Sequence, residues 1–278
     1  MSVIRPQALA LDLGASKTAV AALFTQRIVV SRFVTPEADG FEEGLKQFSD
    51  WAGAVPLGLS RAPALDAAGC VTDWPSRPNW QGADLMAMLN GAFGPSQIYD
   101  YDDGACAALY EQNTLCHSGT VAALSIGTGL AIGAARQGTP TSLGNGVGTL
   151  GHTALAGFDG LCRCGARGCL QAALAPVDRL IDQTHGGRAL RRAIDLVRDV
   201  ANADAVVLTG GRLPALRTEF ADIFVDLGHD AVQYSTNPNH SAVLGALLLA
   251  GGLGRVRAGF GGQDLIVEQS FVGPVGEA

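Results

Sequence analysis

Short apolar runs separated by polar turns open the chain. Ala8–Leu13 is apolar except at Asp12, and Ala19–Phe24 and, after Gln26-Arg27, Ile28–Phe33 follow closely. Runs of this length joined by tight turns predict three β-strands in an antiparallel meander. The period then changes. Over 41–54 and 82–93 apolar residues recur three and four positions apart, which predicts two amphipathic helices. Pro63, Pro75 and Pro78 mark an irregular stretch around Trp74 and Trp80, both read as core aromatics. Ile98–Asp102 opens onto a helix over 105–112 with an aspartate at its N-terminal cap. Val121–Ile126 is a second buried-strand pattern, running into Gly127-Thr128-Gly129 and a further apolar run to Arg136. Leu190, Ile194, Val197 and Ala201 share one face of a helix over 187–201. Ala205–Thr209 reads as a buried strand ending in Gly210-Gly211, and Ser241–Ala250 as an apolar helix. The tail from Arg255 carries no pattern that assigns an element.

Strand, glycine turn and strand thus occur twice, at 8–24 and 121–136, and such self-similarity predicts a duplicated unit. The chain's 278 residues, 47% hydrophobic with 37 glycines, suffice for one large domain or two smaller ones. A net charge of −7 with dispersed arginines opposes a nucleic-acid partner, because phosphate backbones are held by clustered Lys and Arg. Apolar runs fall short of the ~20 residues that span a bilayer, and the first residues lead into a strand without a cleavable signal. A cytoplasmic protein without a membrane partner is the expectation.

The densest chemistry lies between 149 and 171. His152, Cys162, Cys164 and Cys169 fall within eighteen residues, interleaved with glycines at 151, 157, 160, 165 and 168. One imidazole and three thiols are the ligand set of a closed tetrahedral zinc site, and glycines let the backbone fold tightly round an ion. The competing reading is three buried thiols beside an unrelated histidine, which the clustering disfavours. A disulfide fits less well in a reducing compartment. His117, His185, His229 and His240 are scattered and read as surface or core residues.

The first glycine turn, Asp12-Leu-Gly14-Ala-Ser16-Lys17-Thr18, offers close backbone approach at Gly14 and donors at Ser16, Lys17 and Thr18. That is a cradle for phosphate oxygens, with Asp12 placed to support Mg²⁺ through water. Taken alone, the turn is equally an ordinary hairpin with a polar tip. The second turn, Gly127-Thr128-Gly129, raises its value, since two facing phosphate turns make one nucleotide cleft.

Across roughly residues 8–250 the chain resembles the ROK family of sugar kinases and sugar-responsive repressors. The family's hallmark is Glu-x-Gly-His followed by Cys-x-Cys-Gly-x-x-Gly-Cys-x-Glu, matched here by Gly151-His152 and Cys162-Arg-Cys164-Gly-Ala-Arg-Gly-Cys169. The resemblance implies an α/β actin-like ATPase (ribonuclease H-like) duplicated fold, two α/β domains flanking a nucleotide and sugar cleft. The expected division is 1–104, completed by the helix at 241–250, and 105–240, carrying the zinc loop 151–171. By the same resemblance Asp12–Thr18 and Gly127–Gly133 are the phosphate motifs and Thr209-Gly210-Gly211 the adenosine-contacting one. Ala62-Pro-Ala-Leu-Asp66 stands for the family's Pro-Gly-Pro-Val-Asp segment, and Trp80 for the tryptophan after it. Asp102-Asp103-Gly-Ala sits where family kinases carry Asn-Asp-Ala-Asn, which makes Asp103 the catalytic base and places Asp102 at the sugar-binding Asn. Thr149 and Gln171 replace two sugar-binding glutamates, and His152 combines zinc ligation with the sugar pocket. Between Gln171 and Ala205 the chain is shorter than the family leads one to expect. A DNA-binding helix-turn-helix would have to precede Ala8, which points away from the repressor architecture. A homodimer is expected, as family members commonly form dimers.

The expected activity is ATP-dependent phosphorylation of the primary hydroxyl of a hexose-like acceptor, with ATP as donor, Mg²⁺ on the phosphates and structural Zn²⁺ under the pocket. With Asp102, Thr149 and Gln171 in place of Asn and two Glu, the pocket mixes donors and acceptors. An amino sugar, keto sugar or cyclitol then suits it better than plain glucose. The alternative is a sugar-binding or regulatory protein that keeps the fold and the zinc. A zinc hydrolase fits poorly, because a Cys₃His site leaves no open position for water.

Overall fold

The computed structural model describes residues 5–25, 27–144, 149–175, 183–219, 232–251 and 266–269. His229 and the tail beyond Arg255, apart from 266–269, lie outside them, as does part of the segment between Gln171 and Ala205. The chain forms two compact units, Met1–Tyr101 with Ala246–Ala278, and Asp102–Gly245.

In the first unit β1 (Ala8–Leu13), β2 (Lys17–Leu23) and β3 (Ile28–Val34) form the antiparallel meander, and β4 (Pro56–Arg61) lies parallel to β1 with Asp12 beside Ser60. The sheet runs β13-β3-β2-β1-β4-β7, with β7 at Gln97–Asp102 and β13 at Ile266–Gln269. Its core joins Leu9, Leu11 and Leu13 to Phe41 and Leu45 of α1 (Ala38–Lys46) and Leu85 and Leu89 of α2 (Leu85–Phe93). Trp80 is fully buried, edge-on to Phe41 at 5.0 Å and to Trp74 at 5.1 Å.

Both helices are shorter than their periodicity predicts. The first gives way at Gln47 to a 3₁₀ turn, Ser49–Trp51, in which the Phe48 and Trp51 rings pack 5.3 Å apart. The second starts at Leu85 because Gly82 has φ of +82°, outside the right-handed helical region, and Asp84 caps the helix by accepting from Ala87 N at 2.8 Å. Gly94, at φ +54°, ends it in a left-handed cap. Within the proline-marked stretch a small hairpin, β5 (Ala64–Leu65) and β6 (Val71–Asp73), supplies local order.

The second unit repeats the plan. It has α3 (Asp103–Thr114), β8 (Thr120–Ile126), β9 (Leu130–Arg136), β10 (Thr139–Ser142), α4 (Leu170–Leu174), α5 (Gln183–Ala201), β11 (Ala205–Thr209), α6 (Leu213–Glu219) and β12 (Val232–Tyr234). The final helix, α7 (Ser241–Gly251), runs from this unit's last residues into the first unit's return segment. Sheet order is β10-β9-β8-β11-β12, antiparallel from β10 to β8 and parallel from β8 to β12. This matches β3-β2-β1-β4-β7 strand for strand, including the antiparallel hairpin beside a parallel neighbour. Leu190, Ile194 and Val197 of α5 are fully buried against the sheet core. That helix begins at Gln183, before the predicted start, with Gly186 and Gly187 buried inside it. Among the described residues no helix is long and apolar enough to cross a membrane.

Candidate functional site

The first unit supplies one glycine turn. Gly14 closes it by donating N–H to Lys17 O at 3.2 Å, and a side chain at Gly14 would meet that oxygen at 2.9 Å. Thr18 is fully buried with its hydroxyl turned inward to Thr35 Oγ1 at 2.9 Å, while Thr35 donates to Gly14 O at 2.7 Å. Lys17 is exposed and Ser16 half-buried at the tip. Arg77 braces the turn, donating to Ala15 O at 2.7 Å and Thr35 O at 2.5 Å and pairing with Glu37 at 2.9 Å. At the end of β1, Asp12 Oδ1 accepts from Ser60 Oγ at 2.6 Å. Burial pushes the Asp12 carboxyl up to about 6, against the opposing pull of the Ser60 hydroxyl and the Arg32 charge. A lone half-buried carboxylate whose ionised form is under-stabilised is a donor suited to Mg²⁺, which takes one or two carboxylates and completes its shell with water and phosphate.

In the second unit Asp102 is the N-cap of α3, its Oδ1 accepting from Ala105 N at 2.8 Å, so the capping role falls one residue before the proposed base. Asp103 is the first helical residue and half-buried, with Oδ1 near its neighbour's Gly104 N at 3.0 Å. The start of the helix lies directly on β9. A side chain at Gly104 would meet the Ile132 backbone at 2.3 Å, and one at Gly133 would meet Ala105 N at 2.1 Å. Glycines at both contact points bring Asp103 close to the strand that leaves the Gly127–Gly129 turn.

That turn gathers the other candidates. Leu130 N donates to Gln171 Oε1 at 3.2 Å, and Gly151 is packed so that a side chain there would meet Leu130 O at 3.1 Å. Arg163 Nη1 reaches Thr128 O at 3.4 Å. Gly210, at φ +97°, backs onto Ile126, and Arg212 N donates to Ile126 O at 3.0 Å, which sets Gly210-Gly211 beside the same strand end. Thr149 caps a short 3₁₀ turn, Leu150–His152, its Oγ1 accepting from Gly151 N at 3.1 Å.

The ligand atoms of His152, Cys162, Cys164 and Cys169 all lie within 4.8 Å of one another. Cys162 Sγ is 3.5 Å from His152 Nδ1, and Cys164 Sγ is 3.8 Å from Cys169 Sγ. Zinc–ligand bonds of about 2.0–2.3 Å in a tetrahedron separate sulfurs by about 3.8 Å and sulfur from nitrogen by about 3.5 Å. The quartet therefore fits Zn²⁺. Burial, then the adjacent thiols, push Cys169 up to about 12. Arg188 and His185 of α5 hold the rest of the loop through Ala156 O at 2.8 Å and Gly157 O at 3.2 Å.

Ser60, Thr35, Arg77 and Arg163 escape the sequence reading. For Ser60 a signal existed, a lone hydroxyl inside the apolar strand Leu57-Gly-Leu-Ser60. Arg61 is another, its guanidinium forked onto Asp100 at 2.5 and 2.9 Å where β4 and β7 end.

A repeated α/β sheet with glycine turns at corresponding hairpins defines the actin-like ATPase fold, and the Cys₃His loop distinguishes one branch of it. Residues 8–177 match the ROK family model, and the chain belongs to the ROK family. It is 28% identical over 233 residues to a kanosamine kinase of Amycolatopsis mediterranei, spanning 70% of this chain and 76% of that protein. It shares its fold with the ROK family glucokinase of Streptomyces griseus, solved with glucose and AMPPNP, at TM-score 0.65 and 19% identity over 87% of this chain and 98% of that one. The ROK hexokinase of Thermus thermophilus superposes at TM-score 0.62 and 21% identity, covering 87% and 97% of the two chains.

Proposed function

We propose that the protein is an ATP-dependent sugar kinase that phosphorylates the primary hydroxyl of a hexose-like acceptor. The observation that carries this reading is that Gln171 and Arg163 of the cysteine loop bond the Gly127–Leu130 turn, while the start of α3, with Asp103, packs on the middle of the strand that leaves that turn, through Gly104 and Gly133. Family membership and the kanosamine kinase relative support it.

Phosphoryl transfer asks the protein for an aligned acceptor, a proton acceptor and donors on the phosphate oxygens. The Asp103 carboxylate takes the proton of the attacking hydroxyl. The Gly14–Thr18 and Gly127–Gly129 turns are assigned to the polyphosphate, Gly210-Gly211 to adenosine, and Asp12 to Mg²⁺, which when bound neutralises phosphate charge. His152, Cys162, Cys164 and Cys169 hold Zn²⁺, which fixes the loop and leaves no position for substrate.

Asp102, Thr149, His152 and Gln171 are assigned to the acceptor. Thr149 and Gln171 each spend an oxygen on a backbone N–H, and among the described residues the Thr149 hydroxyl proton and the Gln171 NH₂ have no acceptor. Two neutral donors suit the lone pairs of a carbonyl or a neutral amine better than a hydroxyl pair that must donate. An amino sugar or a keto sugar follows, ahead of plain glucose, and the kanosamine kinase relative favours the first of these. The loss of both carboxylates also supports a second reading, a sugar-binding ROK protein with weak catalysis. A coupled Mg-ATP assay against hexoses, hexosamines, keto sugars and cyclitols separates them. Turnover of an amino or keto sugar above glucose supports the kinase, glucose as the best substrate overturns the specificity, and ligand-induced thermal stabilisation without turnover supports the binder.

A further inference from the structure

Helix α3 carries a second acidic group two turns beyond Asp103. Glu111 is 2% exposed, and its carboxyl meets hydroxyls: Oε1 accepts from Ser241 Oγ at 2.6 Å, and Ser235 bonds to the same carboxyl. Ser241 Oγ lies 2.7 Å from Thr209 Oγ1 and 3.2 Å from Ser235 Oγ. Thr209 is fully buried, and its hydroxyl also lies 3.3 Å from Pro238 O, the oxygen that accepts Gly210 N at 3.0 Å. The next strand joins the same cluster, since Ser235 N donates to Leu208 O at 3.0 Å.

A hydroxyl has one proton. With the Ser241 proton on Glu111, the single Thr209 proton is shared between Ser241 Oγ at 2.7 Å and Pro238 O at 3.3 Å, so the carboxyl is linked through two hydroxyls to the Thr209-Gly210-Gly211 turn. The two helices can meet closely because α7 has glycine at 245, where a side chain would lie 1.8 Å from Cys106 O. Burial raises the Glu111 pKa. Burying a carboxyl is costly, and an apolar residue would pack α3 against α7 without that cost.

We propose that Glu111 is a positioning residue for the nucleotide: through Ser241 and Thr209 it fixes the Thr209–Gly211 turn and so sets affinity for ATP without touching it. This rests on the kinase reading above. It makes α3 a strut with the proposed base at one end and the support of the adenosine turn at the other.

The test uses the full chain and the variants Glu111→Ala, Glu111→Gln and Ser241→Ala. Losing one buried, oriented hydrogen bond corresponds to roughly a tenfold effect. In Glu111→Ala, KM for Mg-ATP is expected to rise about tenfold, while kcat and KM for the acceptor stay within about threefold. Glu111→Gln, which keeps the acceptor oxygen, is expected to restore KM to within about threefold of wild type. Amide hydrogen exchange over 208–212 is expected to speed up in Glu111→Ala and return to normal in Glu111→Gln. If Glu111→Ala does not fold, Ser241→Ala is expected to show the same selective rise for ATP. Equal effects on ATP, acceptor and kcat would mark Glu111 as packing only and overturn the proposal, as would an unchanged KM for ATP. A wild-type protein that turns over no acceptor removes the kinase reading. The exchange experiment then judges the turn alone, and unchanged exchange in Glu111→Ala overturns its positioning too.

Discussion

A carboxylate at the end of a buried strand loses water and must regain it from partners or stay reluctant to ionise. Asp12 has one hydroxyl partner, Ser60, and its carboxyl is pushed up to about 6 from 3.8. Because the folded form binds the proton more tightly than the unfolded one, stability is fully present below pH 3.8 and falls as pH rises through about 6. At neutral pH the cost is up to about 3 kcal/mol. Asp12→Asn, which keeps an oxygen for Ser60, should therefore raise stability to denaturant by up to about 3 kcal/mol at pH 7 and not at pH 3.5, while lowering Mg-ATP turnover. Urea titrations at the two pH values check this, and an equal gain at both would remove burial of the charge as its cause. Asp103→Asn should lower kcat by roughly 10²–10⁴-fold with acceptor binding retained, read by turnover beside equilibrium binding. The strand-to-helix junction at Asp102-Asp103 was legible because an aspartate cap stands between a strand pattern and a helix pattern. Ser60, Arg163 and Arg77 were not, since their bonds join residues 48, 35 and 62 positions apart in the chain.

Loops and helices succeed or fail here on close approach. The gathering of His152, Cys162, Cys164 and Cys169 was readable from their spacing alone, because residues within eighteen positions meet through local turns. Cys169→Ser should reduce zinc from about one per chain to near zero and lower the melting temperature. Metal analysis and calorimetry check it, and an unchanged melting temperature without zinc would contradict a structural ion. The seating of α3 on β9 was not readable, since nothing in the sequence around Gly133 says which backbone it will touch. With the Ala105 nitrogen only 2.1 Å from where a Cβ would lie, Gly133→Val should destabilise the protein by at least 1–3 kcal/mol. Gly104 and Gly133 are also what lets the start of α3, with Asp103, seat on this strand, so the variant should lose kcat beyond any loss of folded protein. Helix ends were misjudged for the same reason: periodicity reports the buried face, whereas the end of α1 depends on the Phe48–Trp51 ring contact and the start of α2 on the positive φ of Gly82.

Duplication was the feature of the architecture most open to sequence reasoning. Two copies of strand, glycine turn and strand predicted two related sheets, and the orders β3-β2-β1-β4-β7 and β10-β9-β8-β11-β12 repeat. Parallel additions were harder to foresee. β13 is four residues in a tail without pattern, and its pairing with β3 joins Ile266 to Ile28, from opposite ends of the chain. The backbone N–H groups that Thr149 and Gln171 accept from, at Gly151 and Leu130, emerge only in the folded chain. The most direct measurement is of the product: incubation with Mg-ATP and an amino or keto hexose, followed by phosphorus–proton correlation NMR, with Asp103→Ala in parallel. A single phosphate ester on the primary hydroxyl, absent with Asp103→Ala, is the predicted result. An ester on a ring hydroxyl, or equal product from the variant, would contradict the assignment of Asp103 as the base of a sugar kinase.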